Sequence, residues 1–520
     1  MNTIEFLRIP QSMMPDKVCL VHEGKRFTYT QLMDRVGRLA TALSKLGVGK
    51  GDKIAILQTN CNQYVESYYA ASLLGCPFVP LNYRAKRDEL TYMLNNSEAS
   101  VLLFGERYAS MGKDIQLDIP ALKHFISIDG PIEHALNYED LIASTEDEST
   151  AQEAEVDDSD LNMLMYTSGT TALPKGVMLT YGGFTEMVFN SVEPAFDEES
   201  GGANLLAAPL YHIAGASAMM TGPYGGRTLV IPKQFDPTEW LQLVQKEKVT
   251  HAFLVPTMLK QVIDHPDFAK YDLSSLQMVS YGGAPMPVPV IRRAIERFPE
   301  GIGFMNAFGQ TETTSTVTLL GPDDHRLEGT LEEIEAKIRR LASIGRPLGD
   351  VRVEILDDEG KPVPAGTVGE IAIGASRVMS GYWKREEDTA KTLVDGWIRT
   401  RDMGWLDEDG YLFLAGRKSD MIIRGGENIA PEQIEGVLHV HPDIDEAAVI
   451  GLPDEEWGEK VICVVVARQG SNPSENEIIM FCKTRMASFK APETVKFVEA
   501  LPRNPMGKIL KAALRDEYKS

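Results

Sequence analysis

Cysteine is scarce in this sequence: five in 520 residues, Cys19, Cys61, Cys76, Cys463 and Cys482. None forms a CxxC pair or a Cys/His set with metal-ligand spacing, which excludes a disulfide framework and a zinc site of ordinary type. They read as reduced thiols without a catalytic role. Long apolar runs are missing too. No window offers about 18 uninterrupted apolar residues, and the opening MNTIEFLRIPQSMMPDK lacks a basic start followed by an apolar stretch. Neither secretion nor an integral membrane segment is expected, and a cytoplasmic location is. Positive charge is the third shortage: 52 Lys+Arg against 75 Asp+Glu give a net charge of −23. That balance disfavours nucleic acid and anionic lipid as partners. Anionic ligands then require locally positive sites, and 483–519 is one, with nine basic and four acidic residues.

What is present is an ordinary globular composition, 43% hydrophobic and 24% charged, on a chain too long for one core. Alternation over 17–29 around Glu23-Gly24 predicts a hairpin. Thr30 is then placed to cap a helix carrying Leu32, Val36, Leu39, Leu43 and Leu46. A strand at 53–57 and a helix at 64–74 follow, the alternation of an α/β layered fold. Eight acidic residues in 144–160 predict a solvated linker. A short buried strand at 161–166 comes next, with further strands at 205–208, 249–255, 277–281 and 303–307. The pattern over 330–341 predicts a helix with a capping box of Thr330 and Glu333 and surface pairs Glu333/Lys337 and Glu335/Arg339. Strands at 351–356 and 369–373 point to a β-rich part, and 416–420 is a candidate boundary before a small α+β unit.

The strand at 161–166 feeds YTSGTTALPKG, residues 166–176. Thr167, Ser168, Thr170 and Thr171 set four hydroxyls around Gly169, and Lys175 follows Leu173-Pro174. Glycine lets backbone N–H groups approach an anion, hydroxyls donate to phosphate oxygens or bind magnesium, and lysine supplies charge. A polar surface turn fits the isolated loop equally well, and it is not a Walker A loop.

Further motifs follow in order: SYGGAP at 280–285, NAFGQTE at 306–312, Thr400-Arg401-Asp402, Gly416-Arg417, RGGENIAPEQIE at 424–435 and NPMGK at 504–508. With this set the chain resembles the acyl-adenylate-forming, AMP-binding superfamily over nearly its whole length, most closely its acyl-CoA synthetases. The resemblance implies an N-terminal adenylation domain over 1–416 and a small mobile α+β domain over 417–520. It implies that Gly283, Ala284 and Pro285 line the adenine, with Asn306 near its amino group and Phe308, Gly309 and Thr311 also at the nucleotide. Glu312 and Thr167 are then the Mg2+ ligands, Asp402 holds the ribose hydroxyls, and Arg417 sits by ribose and phosphate. Lys508 reaches the substrate carboxylate and the α-phosphate. His212, with Gly282 and Gly283, borders the acyl pocket, although a structural, hydrogen-bonded histidine fits as well. Ala214, Ala216, Met219 and Met220 suit an acyl tunnel or plain core. Gly425, Gly426, Glu427 and Asn428 approach the CoA channel.

Three positions depart from the family pattern. Ala172 stands for a loop glycine, Arg401 for the glycine before the ribose aspartate, and Ser419 for the usual hinge Asp or Lys. The resemblance implies that a carboxylic acid, expected here to be a medium- or long-chain fatty acid with aryl and alicyclic acids as alternatives, reacts with ATP to give an acyl-adenylate. CoA then takes the acyl group. A carrier-protein thiol as acceptor, and a nucleotide-binding sensor without turnover, are the competing readings. A homodimer is a reasonable prior.

Overall fold

The computed structural model describes residues 1–109, 118–145, 152–167, 173–195, 201–424, 427–454, 457–504 and 507–519. Two large sheets are built from short apolar runs that bury both faces, the mark of parallel strands covered by helices. The first, seven-stranded among the described residues, centres on Lys53–Leu57 and Ala99–Phe104 and ends in the antiparallel pair Leu161–Thr167 and Lys175–Thr180. In the second, nine-stranded, Ala203–Leu206, His251–Leu254, Met278–Gly282 and Gly303–Gln310 lie side by side in parallel. Such a sheet presents ligand sites beyond the carboxyl ends of its strands.

A third, antiparallel sheet follows, with Trp397–Leu406 between Gly369–Gly374 and Leu412–Arg417. The fourth lies in the C-terminal part. Its long pair Ile444–Asp454 and Gly458–Ala467 is joined by Ile422–Arg424, Glu427–Ile429 and Thr494–Phe497, with the helix Lys511–Tyr518 packed on it. The small unit takes in the last part of the chain, because Thr494–Phe497 completes its sheet and Leu514 its core. The layered α/β class, with a β-rich part and a small α+β part, is the one observed.

Local readings fared unevenly. Thr28, not Thr30, caps the helix Tyr29–Lys45 and forms a capping box with Gln31, while the Thr30 hydroxyl donates to the Pro15 carbonyl at 3.0 Å. The box of Thr330 and Glu333 does cap Leu331–Arg340. It occupies the Glu333 carboxylate, however, and Lys337 donates instead to the carbonyls of Arg326 and Glu328. The described part of the acidic stretch is docked rather than freely solvated. Ala154 N–H donates to the Leu73 carbonyl at 2.9 Å, and Lys50 pairs with Asp160 at 2.8 Å.

Candidate active site

Three neighbouring parallel strands release their chains on one side of the second sheet. His251–Leu254 leads into Pro256 and Thr257, Met278–Gly282 into Gly283, Ala284 and Pro285, and Gly303–Gln310 carries Asn306, Phe308 and Gly309. Together with Asp402, Arg417 and Lys508 they line a cleft of about 370 Å³. Two glycines in its wall are there for space: a Cβ on Gly282 would lie 2.1 Å from the Ala307 carbonyl oxygen, and one on Gly309 2.0 Å from that of Ser315. Gly283 has φ +78°, which disfavours a side chain at that bend. A flat surface of backbone results, beside buried Asn306.

Asp402 stands opposite Arg417 in the ladder of the third sheet. Gln310 Nε2 donates to its Oδ2 at 2.6 Å, and its backbone N–H donates to the Thr400 hydroxyl at 3.1 Å. Arg417 Nε meets Oδ1 at 3.1 Å, but off hydrogen-bond geometry, so this buried nitrogen has no hydrogen-bond partner among the described residues. Burial raises the Asp402 carboxyl above its ordinary range, against the opposing pull of Arg417 and Lys508.

Lys508 arrives from the C-terminal part on a tight loop in which Asn504 N–H donates to the Lys508 carbonyl and Lys508 N–H to the Asn504 side chain. Gly507 has φ +76°, and a Cβ there would meet the Thr257 hydroxyl at 2.7 Å, so the loop presses on the start of the helix Pro256–Ile263. Lys260 pairs with Asp445 at 3.0 Å across the same junction. Burial lowers the Lys508 ammonium below the usual lysine range and Arg417 adds to this, while Asp402 and Asp420 oppose it.

Thr167 and Lys175 face each other in their hairpin. Lys175 is buried, pairs with Asp388 at 2.9 Å and lies 5.1 Å from the Tyr382 ring centre. The Tyr382 hydroxyl donates to Glu312 Oε1 at 2.9 Å, bringing Glu312 to the same ring. A carboxylate and a hydroxyl are the oxygen donors that suit Mg2+, which keeps several waters and needs few protein ligands. Among the described residues no cluster of three or more His, Cys, Asp or Glu forms a metal site. Ser168, Gly169, Thr170, Thr171, Ala172, Gly425 and Gly426 lie outside the described residues. Glu427 is exposed and does not line the cleft, and Ser419 is exposed in the turn after Arg417. His212 does not line it either. It caps the helix Ile213–Tyr224, its ring 4.1 Å from that of Tyr211. Burial pushes its pKa down to about 3, with Arg84 contributing, so the imidazole is neutral at physiological pH. Its Nε2 is buried without a hydrogen-bond partner among the described residues. Met219 and Met220 are fully buried.

A family profile described as AMP-binding enzyme matches residues 10–383, and that of the AMP-binding enzyme C-terminal domain matches 433–508. The chain belongs to the AMP-binding enzyme family. Within this family it falls in the acid–thiol ligase branch. It is 37% identical to a feruloyl-CoA synthase of Amycolatopsis sp, over 97% of each chain. It is 35% identical to a long-chain-fatty-acid–CoA ligase of Mycobacterium tuberculosis, over 95% of this chain and 93% of the other. The amide bond synthetase McbA from Marinactinospora thermotolerans superposes with a TM-score of 0.90 at 30% identity, each chain covered in full.

Sequence reasoning about this AMP-binding enzyme missed Gln310, Tyr382 and Asp388. Gln310 stood inside a quoted motif, two residues before Glu312, and its carboxamide could have been paired with Asp402. Tyr382 and Asp388 carry no local signal, because their partners Glu312 and Lys175 are far away in sequence.

Proposed function

We propose that the enzyme is an AMP-forming acid–CoA ligase whose acid is aromatic, working as two units, 1–416 and 417–520. The observation that carries the reading is the convergence of Asp402, Arg417 and Lys508 on the cleft at the ends of three parallel strands. An oxygen of the acid's carboxylate attacks the α-phosphorus of ATP, and the bond to the bridging oxygen breaks, with pyrophosphate leaving on the electron pair. Lys508 neutralises carboxylate and α-phosphate as they approach, Asp402 accepts from the ribose hydroxyls, and the Gly282–Pro285 backbone backs the adenine. Mg2+ held by Glu312 and Thr167 would supply countercharge to the polyphosphate. The CoA thiol then attacks the acyl carbon and AMP leaves. The second unit turns between the two steps about Ser419, withdrawing Lys508 and bringing Glu427 and Asn428 to the thiol.

Two observations support an aromatic acid over the fatty acid expected from apolar residues alone. Relatives over the full length include a feruloyl-CoA synthase. Around His212, which the resemblance sets at the acyl pocket, Tyr64 Oη, Tyr211 Oη and His212 Nε2 are buried without hydrogen-bond partners among the described residues. An alkyl chain would leave them unsatisfied, at about 1–3 kcal/mol each, whereas ring oxygens would pair with them. The likeness to an amide bond synthetase favours one competing acceptor, an amine. The five cysteines, all buried and unpaired, suit a reducing compartment. AMP release is to be measured with hydroxycinnamic, benzoic, medium- and long-chain acids, each with CoA, an amine or a carrier protein. Highest acid-dependent release with a hydroxylated aromatic acid, and thioester formed with CoA, is the expected result. Release only with alkyl acids would reject the aromatic assignment, and product only with the amine would reject CoA.

A further inference from the structure

On the other side of Arg417 lies a second cavity, of about 430 Å³, lined by Lys391, Arg399, Arg401, Arg417, Lys418 and Glu370, with the hinge residue Ser419 and Val394. Five cations and one carboxylate line it, in a protein whose net charge is −23, although Arg417 also pairs with Asp402 at 3.1 Å and Lys418 with Asp358 at 2.9 Å outside the lining. The lining carboxylate is already engaged: Glu370 accepts from Arg399 at 3.1 Å and from the Arg401 backbone N–H at 3.2 Å. Among the described residues neither Arg401 nor Lys391 has a carboxylate within 4.0 Å of its charged nitrogens, although Lys391 acts through space on Asp388.

Arg401 is turned into this cavity by a local fault in the ladder. The register between Gly369–Gly374 and Trp397–Leu406 shifts between Glu370 and Ala372, and within the bulge Arg401 takes φ +60°, the left-handed region that resists side chains other than glycine. The bulge sends Asp402 to the nucleotide cleft and Arg401 to the second cavity. An unusual backbone that holds a cation without an ion-pair partner at the edge of a site points to a ligand. Arg417 walls both cavities. Arg401 also acts electrostatically on the Tyr382 hydroxyl, which donates to Glu312. No aromatic ring lines the second cavity, so a nucleotide base finds nothing to stack on.

We propose that this cavity binds inorganic pyrophosphate leaving the nucleotide cleft and, while occupied, ties the third sheet to the hinge. The proposal rests on the adenylation reading above for the source of its ligand. Lys391, Arg399 and Arg401 belong to the third sheet and the helix beside it, whereas Lys418 and Ser419 form the turn about which the C-terminal part would swing. Lys418 N–H already donates to the Arg401 carbonyl at 2.9 Å. A bound polyanion bridging the two sides holds the turn still, and its departure frees the turn.

The test is calorimetric titration of sodium pyrophosphate into the full chain, beside tryptic cleavage after Arg417 and Lys418. Arg401→Gly removes the cation and relieves the left-handed backbone, so the variant folds. It is expected to raise the pyrophosphate Kd about tenfold, and exposed Lys391→Ala about threefold. Pyrophosphate is expected to slow cleavage at the turn in the wild type and not in Arg401→Gly. Unchanged Kd in both variants would overturn the proposal, as would protection unaffected by Arg401→Gly. Acid-dependent AMP release by the wild type separates this from the parent reading. If release is present while the variants leave pyrophosphate binding untouched, only the cavity assignment falls. If release is absent with every acid while the variants weaken binding, the oxyanion site stands and the adenylation reading falls.

Discussion

Asp402 and Lys508 carry opposite charges into the same cleft and are held there in opposite ways. Asp402 belongs to a sheet. It is buried, anchored by Gln310 and Thr400, and set against Arg417 by the strand register. Lys508 belongs to a loop of the C-terminal part that touches the nucleotide side through Gly507 on Thr257, with Lys260 and Asp445 pairing nearby. A half-buried ion pair near the surface, such as this one, contributes about 1 kcal/mol. One charge is therefore built into the scaffold, and the other is delivered by a contact weak enough to let go. The two-step reaction proposed above would use that asymmetry, with ribose held throughout and the lysine needed only while the phosphorus is attacked.

The comparison is broken most severely by Lys508→Ala, expected to slow adenylation about 10²–10³-fold, equivalent to roughly 3–4 kcal/mol of electrostatic stabilisation. Single-turnover pyrophosphate release reads it. Asp402→Ala should raise the ATP KM roughly 10- to 100-fold, as loss of hydrogen bonds to a charged acceptor dictates. In that variant, unlike Lys508→Ala, thioester formation should suffer as well, because acyl-AMP keeps its ribose. The pH profile of adenylation sharpens the contrast. Asp402 takes up its proton above the usual carboxylate range, so ATP binding weakens as pH falls through that raised value. Lys508 loses its proton below the usual lysine range, so the rate falls as pH rises through that lowered value, about tenfold per unit beyond it. Lys508→Arg should move the alkaline limb upward. Glu312→Gln should demand several-fold more magnesium for the same rate, read from a metal titration. Lys260→Ala, which removes the pairs with Asp445 and Asp264, should change adenylation by less than about fivefold.

Fold and site were legible in the sequence to different depths. The alternation that gives Lys53–Leu57 and Asn62–Leu73, and the capping box at Thr330, are local effects, and local pattern finds them. The cap at Thr28 was displaced to Thr30 because both hydroxyls precede the apolar stripe. What decides between them is the side chain of Gln31, which reaches back to the Thr28 N–H. At the site, the resemblance to the family implied a shared site for Gly283, Asn306, Asp402, Arg417 and Lys508, and the structure brings them together in one cleft. The resemblance could not supply the contacts that tune them. Gln310 on Asp402, Tyr382 on Glu312 and Asp388 on Lys175 are tertiary pairs between separate strands and helices. The bulge that turns Arg401 away from Asp402 depends in the same way on how two distant strands register.

The central claim is that Lys508 serves one half-reaction and is absent from the other. It is tested most directly by giving Lys508→Ala a preformed acyl-adenylate with CoA and following thioester formation. The account predicts a rate within a few-fold of the wild type, beside the 10²–10³-fold loss in adenylation of about 3–4 kcal/mol. An equal loss in both half-reactions, in a folded variant, would contradict it.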